Sequence, residues 1–344
     1  MNESWNIVLS RYGARFIDGR VAHYGEPTKA VIAEDSETVL CDLSHEGLIL
    51  VGGDDAAAFL HAQLCNDVLA LADDHAQWNG WCSPKGRLLT TFLLWPGKQG
   101  FFIALPRALR AAIQKRLQMF VLRSKVTLED ASDTWIHFGV AGPGAEAAVR
   151  RAMGDAPTAP MTSIHTAEGR AIRLSPSRFI VIANPVRAPD LWALCAQTSV
   201  MAGAATWDLR AIREGILVVQ PETQDAFVPQ MANFELVGGV SFKKGCYPGQ
   251  EIVARTQYRG ILKRRMARVE GDSESPPKAG DSVFAAEFGD QAAGTVAQIV
   301  STSAGHFEAL VVAQMESLKN DSLRIGGPDG AHLKRLTLPY PLPD

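Results

Sequence analysis

Cysteine is scarce in this chain of 344 residues, and what there is does not cluster. Five cysteines (Cys41, Cys65, Cys82, Cys195, Cys246) are odd in number, widely spaced and free of any C-x-x-C. That argues against a disulfide framework and against a cysteine-rich zinc or iron–sulfur site within the chain. Eight histidines form no H-x-x-x-H or H-E-x-x-H pair, so no metal site is expected. The N-terminus lacks a basic segment leading into an apolar core, and no apolar run reaches spanning length. No internal repeat is detectable. These absences leave the expectation of a soluble, cytoplasmic protein with no membrane partner.

What is present is ample core material. At 47% hydrophobic and 21% charged residues the chain can build two or three compact units and shows no sign of global disorder. Charge is informative when counted locally. From Lys243 to Arg268 there are eight basic residues (Lys243, Lys244, Arg255, Arg259, Lys263, Arg264, Arg265, Arg268) against the single acid Glu251, a net of +7. With the whole chain at −3, the remainder carries −10. A basic island on an acidic body points to an anionic partner; a solvated helix and strand edge is the plainer alternative. RNA is left open, because no aromatic strand pattern of the RRM type accompanies the island.

One segment inside that island stands apart. Cys246 follows Lys243-Lys244-Gly245 and precedes Tyr247-Pro248-Gly249-Gln250-Glu251. Pro248 suits a first helical position, where its missing N–H is no loss. Gln250 and Glu251 then fall in the first turn, where the dipole favours them. A thiol beside lysines at the mouth of a helix is in the setting that yields reactive thiolate. A turn with an incidental cysteine is the structural alternative.

Elsewhere the pattern reads as mixed strands and single helices. Val39 to Val51 is strand material. Asp54 or Asp55 caps a helix running to about Leu69. Trp81 to Arg87 is a turn feeding a strand from Leu88 to Trp95, which pairs with Phe101 to Leu105. Arg107 to Val121 is an amphipathic helix with Leu109, Ile113, Leu117 and Phe120 in phase. Strands at Trp135–Ala141, Ala171–Leu174 and Phe179–Ala183 alternate with helices near Ala145–Met153 and from Asp190. This predicts an α+β fold rather than a doubly wound sheet. Beyond Glu270 short strands (282–285, 294–301, 307–312, 333–338) separated by turn residues predict a small all-β barrel or sandwich.

Taken together, these segments resemble the YgfZ branch of the folate-binding, aminomethyltransferase-like superfamily. The resemblance is carried by the run from Val240 through Lys243-Lys244-Gly245-Cys246-Tyr247-Pro248-Gly249-Gln250-Glu251 to Arg255. Phe227-Val228-Pro229-Gln230-Met231-Ala232-Asn233 looks like the family's F-x-P-Q-x-x-N. Ser83-Pro84-Lys85-Gly86-Arg87, the Gly53-Asp54 helix entry with Gln63, and Leu338-Pro339-Tyr340 also fit. The resemblance implies a three-lobed ring: a folate-binding region over 1–264 made of two interleaved α+β lobes (1–50 with 130–264, and 51–129), then a β-barrel domain over 265–344. It implies tetrahydrofolate or a derivative as cofactor. It also implies a supporting role in assembling or repairing iron–sulfur clusters in client enzymes, with an indirect link to tRNA through a tRNA-thiolating enzyme.

Residue by residue, Cys246 matches the motif cysteine and is expected to be the reactive thiol. Lys244 and Arg255 are expected to neutralise folate carboxylates or an anionic partner. Gln250, Glu251 and Lys85 belong to the same expected binding set. Trp207 falls where the family places a tryptophan against folate, and its flat face suits stacking on a pterin or benzoyl ring, with core packing as the alternative. Glu46 stands where bacterial relatives have a second aromatic residue. The aminomethyltransferase branch carries an Asp-Asp pair where this chain has Thr90-Thr91, and a glutamate where it has Met231. A threonine hydroxyl supplies neither the charge nor the proton-accepting capacity of a carboxylate. A folate-dependent one-carbon transferase is therefore the second reading, and a direct RNA-binding module the third.

Overall fold

The computed structural model describes residues 2–25, 31, 36–260 and 262–343, without the side chain of Arg259. Arg259, counted in the basic island, thus has its side chain outside the described residues. In chain order the elements begin with α1 (Glu3–Arg11), β1 (Ala14–Ile17), β2 (Arg20–Tyr24), β3 (Val39–Asp42), β4 (Glu46–Gly52) and α2 (Ala56–Gln63). They continue with β5 (Gln77–Cys82), β6 (Leu88–Gly97), β7 (Gly100–Pro106), α3 (Arg107–Gln118), β8 (Thr127–Asp130), β9 (Ile136–Ala141) and α4 (Ala145–Met153). Next come β10 (Ser163–His165), β11 (Arg170–Ser175), β12 (Arg178–Ala183), α5 (Ala188–Ala196), β13 (Val200–Ala202), α6 (Ala204–Arg213) and α7 (Gln250–Arg259). The last stretch holds β14 (Arg264–Asp272), β15 (Ser282–Ala285), β16 (Gly294–Ser303), β17 (His306–Gln314), α8 (Met315–Asn320), β18 (Leu323–Ile325), β19 (Ala331–His332) and β20 (Lys334–Leu336). The fold is mixed α+β, as the alternating pattern predicts.

The chain divides into two compact units, Met1–Phe59 with Ala70–Gln77 and Leu93–Trp207, and Leu60–Leu69 with Trp78–Phe92 and Asp208–Asp344. In the first, a six-stranded sheet has the order β10-β11-β12-β9-β3-β13, antiparallel except for the β13–β3 pair. Strand residues alternate faces. Phe138, Val140, Phe179 and Val181 point one way into a core with Trp5, α4 and α5. Trp192 meets Trp5 and Phe138 edge-on, with ring centroids 5.5 and 5.4 Å apart. Each such pair adds about 0.5–1.5 kcal/mol beyond its buried area. The opposite face carries His137, Gly139, Ala141 and, across the register on β12, Ile182, Ile180 and Arg178. A second sheet in this unit runs β6-β7-β4-β8 through Leu93–Gly97 of β6.

In the second unit the C-terminal strands form a seven-stranded, nearly closed antiparallel barrel, in the order β19-β18-β15-β16-β17-β14-β20. Its interior is aliphatic, with Val269, Val283, Val296, Val311 and Leu323 around Phe307. Glu308, facing the other way on β17, is buried between Arg213 and Arg268, at 2.5 and 2.7 Å. Burial pushes its carboxyl up, and the two guanidinium groups outweigh that and hold it below the usual carboxylate range.

Three helices differ locally from expectation. Asp54 and Asp55 do precede α2, but their carboxylates bind Lys125, at its ammonium (3.3 Å) and its backbone N–H (2.8 Å). The helix itself stops at Gln63, because Leu64 turns into a bridge with Trp81. Helix α3 ends at Gln118, leaving Phe120 past the last turn and 42% exposed. Pro248 is not the first helical residue: α7 starts at Gln250, with Gly249 at its N-cap in a left-handed conformation (φ 80°).

Candidate functional site

The second unit gathers most of the singled-out residues around the entry to α7. The entry is an interlock of two backbones. A Cβ on Gly249 would lie 2.4 Å from Ser83 O and 2.6 Å from Gly86 Cα, and one on Gly86 would lie 2.8 Å from Ile252 Cβ. Gly86 also has a positive φ, 68°. Both positions therefore exclude side chains twice over, by conformation and by space. The Ser83–Arg87 turn is anchored in its turn by Ser83 Oγ donating to Asp225 (2.6 Å) and Arg87 donating to Ala226 O (3.0 Å).

Lys244 is buried, 8% exposed. Its ammonium donates to His61 O and, at 2.6 Å, to Leu64 O, carbonyls at the C-terminus of α2 that have no intrahelical partner. Its Nζ also lies 4.9 Å from the centre of the Tyr247 ring. Burial pulls the Lys244 pKa down to about 8, against the raising pull of Cys65, Asp67 and Cys246. The side chain expected to meet an anion is thus turned into the protein, where it fixes the backbone one residue before Gly245 and two before Cys246.

Cys246 itself is exposed, and the other four cysteines are buried. The Cys195 thiol is pushed up to about 12 by burial. Cys82 is pushed up by its hydrogen bond to Cys65 and then by burial. Of the residues expected to act with Cys246, Lys85, Glu251 and Arg255 are exposed, as is Lys243, and Gln250 is half-buried. Gln250 Nε2 donates back to Gly245 O at 3.4 Å. Among the described residues, Lys85, Lys243 and Arg255 have no ion-pair partner.

The second motif, Phe227 to Asn233, serves as support. Gln230 Nε2 donates to Val253 O of α7 (2.8 Å). Asn233, in a left-handed conformation, donates to Met266 O (3.0 Å) and accepts from Arg265 (2.9 Å). Arg265 also pairs with buried Glu235 at 2.9 Å.

Thr90 and Thr91 are buried, and their hydroxyls are engaged. Thr91 Oγ1 donates to Leu217 O (2.8 Å) and accepts from Val219 N–H (3.0 Å), while Thr90 donates to Thr91 O (3.2 Å). Among the described residues, no group of three or more His, Cys, Asp or Glu side chains is disposed to hold a metal ion.

Trp207 belongs to the first unit, on α6, and is 3% exposed. Its indole lies against β9, where a Cβ on Gly139 would come within 2.4 Å of the ring. The Arg178 guanidinium sits 4.7 Å from the ring centre. Glu46 lies 3.9 Å from His137, whose pKa is pulled down to about 3 by burial and by His45 and Arg107, so the imidazole is neutral.

Two residues near Cys246 escaped the sequence reading. His61 Nε2 lies 3.6 Å from where a Cβ on Gly245 would sit, and His61 Nδ1 lies 3.1 Å from Asp67 Oδ1. They are about 180 positions away in the chain, and tertiary contacts such as Lys244 to His61 O and Leu64 O and Ser241 N–H to Cys65 O (3.0 Å) bring them there.

Comparison with known proteins agrees with this geometry. Residues 22–193 match the GCVT N-terminal domain. The chain is 32% identical over 306 residues to the tRNA-modifying protein YgfZ of Vibrio vulnificus, covering 88% of this chain and 92% of that one. It is 31% identical over 323 residues to the tRNA-modifying protein YgfZ of Photobacterium profundum, covering 92% and 96%. The glycine cleavage system aminomethyltransferase T of Bartonella henselae superimposes over 98% of this chain and 97% of its own, with a TM-score of 0.80 at 16% identity. At that identity the likeness shows the fold alone. With the motif around Cys246 in place and relatives matched along nearly their whole length, this chain belongs to the YgfZ family and has the GCVT-like fold.

Proposed function

We propose that this protein binds a reduced folate and supports the assembly or repair of iron–sulfur clusters in client enzymes, tRNA-modifying enzymes among them, with Cys246 as its working thiol. The observation that carries this reading is the contrast among the cysteines. Four are buried, and the one in the motif is exposed on a loop held by Lys244 on one side and the Gly249–Gly86 interlock on the other. A thiol fixed in place but open to solvent is suited to meet a partner molecule. Lys85, Lys243 and Arg255, exposed and without an ion-pair partner among the described residues, favour an anionic partner.

Folate fits the chemistry of Trp207 and Arg178. Indole and guanidinium are planar groups that stack, and a guanidinium offers in-plane donors to a carbonyl or carboxylate of a ligand. Both are nearly fully buried, so binding requires Arg178 to yield part of the indole or to meet the ligand with its own outer edge. A reduced folate, when bound, supplies a nitrogen centre that carries one-carbon units. This chain's own residues do the rest: Trp207 and Arg178 orient the ring, and Cys246 meets the client.

The transferase reading is disfavoured by Thr90 and Thr91, whose hydroxyls are committed to the backbone. Direct RNA contact keeps one supporting observation, the exposed Tyr258 set edge-on to Phe242 beside the cations. The test is titration of the purified protein with 5-formyltetrahydrofolate by calorimetry, alongside Trp207→Phe and Arg178→Ala. Saturable binding that weakens about tenfold or more in Arg178→Ala supports the folate reading. No binding to the parent protein overturns it.

A further inference from the structure

Within the first unit lies a cavity of about 580 Å³ that no part of the reading above uses. That volume is ordinary for a small-molecule site. Its walls are aromatic. Trp95 and Phe102 are stacked with centroids 5.6 Å apart, and Trp135 meets Phe102 edge-on at 6.0 Å. Trp95 is buried at the back, while Phe102 and Trp135 are half-exposed toward the space.

Its rim carries two cations. Lys98, from the β6–β7 turn, and Arg170, from β11, both line it. Arg170 donates to Ser163 Oγ (2.9 Å) and to Asp73 O (3.4 Å), both uncharged acceptors. Among the described residues neither cation has an ion-pair partner. Burial lowers the Arg170 pKa against the pull of Asp73, and it lowers His165, with Arg170 and Lys98 adding to the effect. Two carboxylates share the rim. Asp74 is taken by His75 Nδ1 at 2.7 Å, and Asp73 lies close enough for its charge to act on Arg170. A half-buried guanidinium with spare in-plane donors, beside an aromatic wall, is a recognition device for a planar group that ends in an anion.

We infer that this cavity is a binding site for an amino-substituted planar heteroaromatic that carries an anionic group. Its ring lies on Trp135 and Phe102, its anion on Arg170 and Lys98, and its amino donors face Asp73. A mononucleotide and a folate both have this chemistry, and the inference does not depend on folate binding at Trp207.

The experiment is calorimetric titration of the full chain with guanosine monophosphate and, separately, with 5-formyltetrahydrofolate, on the parent, Lys98→Gln, Arg170→Gln and Trp135→Leu. Lys98 is an exposed turn residue, so Lys98→Gln keeps the fold even if Arg170→Gln does not. At least one probe is expected to bind the parent below millimolar concentration, weaken about tenfold in Lys98→Gln or Arg170→Gln, and weaken further with added salt. The probe that binds identifies the source. Failure of both probes at 1 mM, within the roughly millimolar floor of a weak specific site, overturns the inference, as does binding unchanged by Lys98→Gln and Arg170→Gln. If guanosine monophosphate does not bind, folate binding lost in Arg178→Ala but unaffected by those two variants would refute this site while leaving the proposed function standing.

Discussion

Replacing Gly249 by alanine should loosen the motif loop more than any other single methyl group added to it. The cost has two parts. An alanine at φ 80° pays the left-handed penalty of about 1–2 kcal/mol. Its Cβ would also stand 2.4 Å from Ser83 O, 2.6 Å from Gly86 Cα and 2.7 Å from Gly86 N. All three are main-chain atoms, so relief requires moving a backbone, at about 1–3 kcal/mol. The sum is about 2–5 kcal/mol, which is about 30-fold to several thousand-fold in the local opening equilibrium. Native-state hydrogen exchange read by mass spectrometry reports it directly, on the amides of Gly86, bonded to Ser83 O, and Val253, bonded to Gly249 O. Gly154→Ala is the control. Gly154 has nearly the same φ, 81°, and nothing within 4 Å of a Cβ, so it isolates the conformational part. If Gly249→Ala raises exchange at those amides less than fivefold, or no more than Gly154→Ala does around its own position, the interlock argument is wrong.

Glu308→Gln should cost about 3 kcal/mol or more, since it leaves Arg213 and Arg268 without their shared carboxylate. Because that carboxyl is held below its ordinary range, its contribution is present above the unfolded value and lost on acidification through the folded one, so urea midpoints of parent and variant should converge at low pH. For Lys244 the sign is opposite. Its folded pKa of about 8 lies below the ordinary lysine value of about 10.4, so the unfolded chain holds the proton more tightly, and the burial penalty fades as pH rises from 8 toward 10. Parent stability should therefore gain on Lys244→Met across that window, and parallel pH profiles would contradict this. Among the five cysteines Cys246 should be alkylated first by iodoacetamide at neutral pH, as peptide mapping would show, and glycine-cleavage aminomethyl transfer should fall roughly 100-fold or more below that of an enzyme with the carboxylate.

The α+β class and the C-terminal barrel were legible in the sequence because strand alternation and turn residues are local signals. The strands at Ser282–Ala285 and Gly294–Ser303 need only their own pattern and neighbouring glycines. The motif's glycines were legible as punctuation, but their partners were not. Gly249 needs Gly86, some 160 residues earlier, and nothing in either neighbourhood names the other. Lys244 looked like an anion receptor because lysines usually face solvent, and its use on the end of α2 depends on where Leu64 pairs. Pro248 looked like a helix start because the left-handed turn at Gly249 that delays the helix is set by packing against Ser83. The Trp95–Phe102–Trp135 wall and its cations come from three separate strands and loops, and no spacing in the chain foretells a cavity there.

The most direct measurement is the activity of an iron–sulfur enzyme in cells that lack their own relative of this protein, with parent or Cys246→Ser supplied at matched abundance. The parent is expected to restore the enzyme. Cys246→Ser, folded and with folate affinity within about twofold of the parent, is expected to restore less than about a tenth as much, the scale of losing an essential nucleophile. Full restoration by Cys246→Ser would contradict a working thiol and leave the exposed cysteine as an incidental residue on a structural turn.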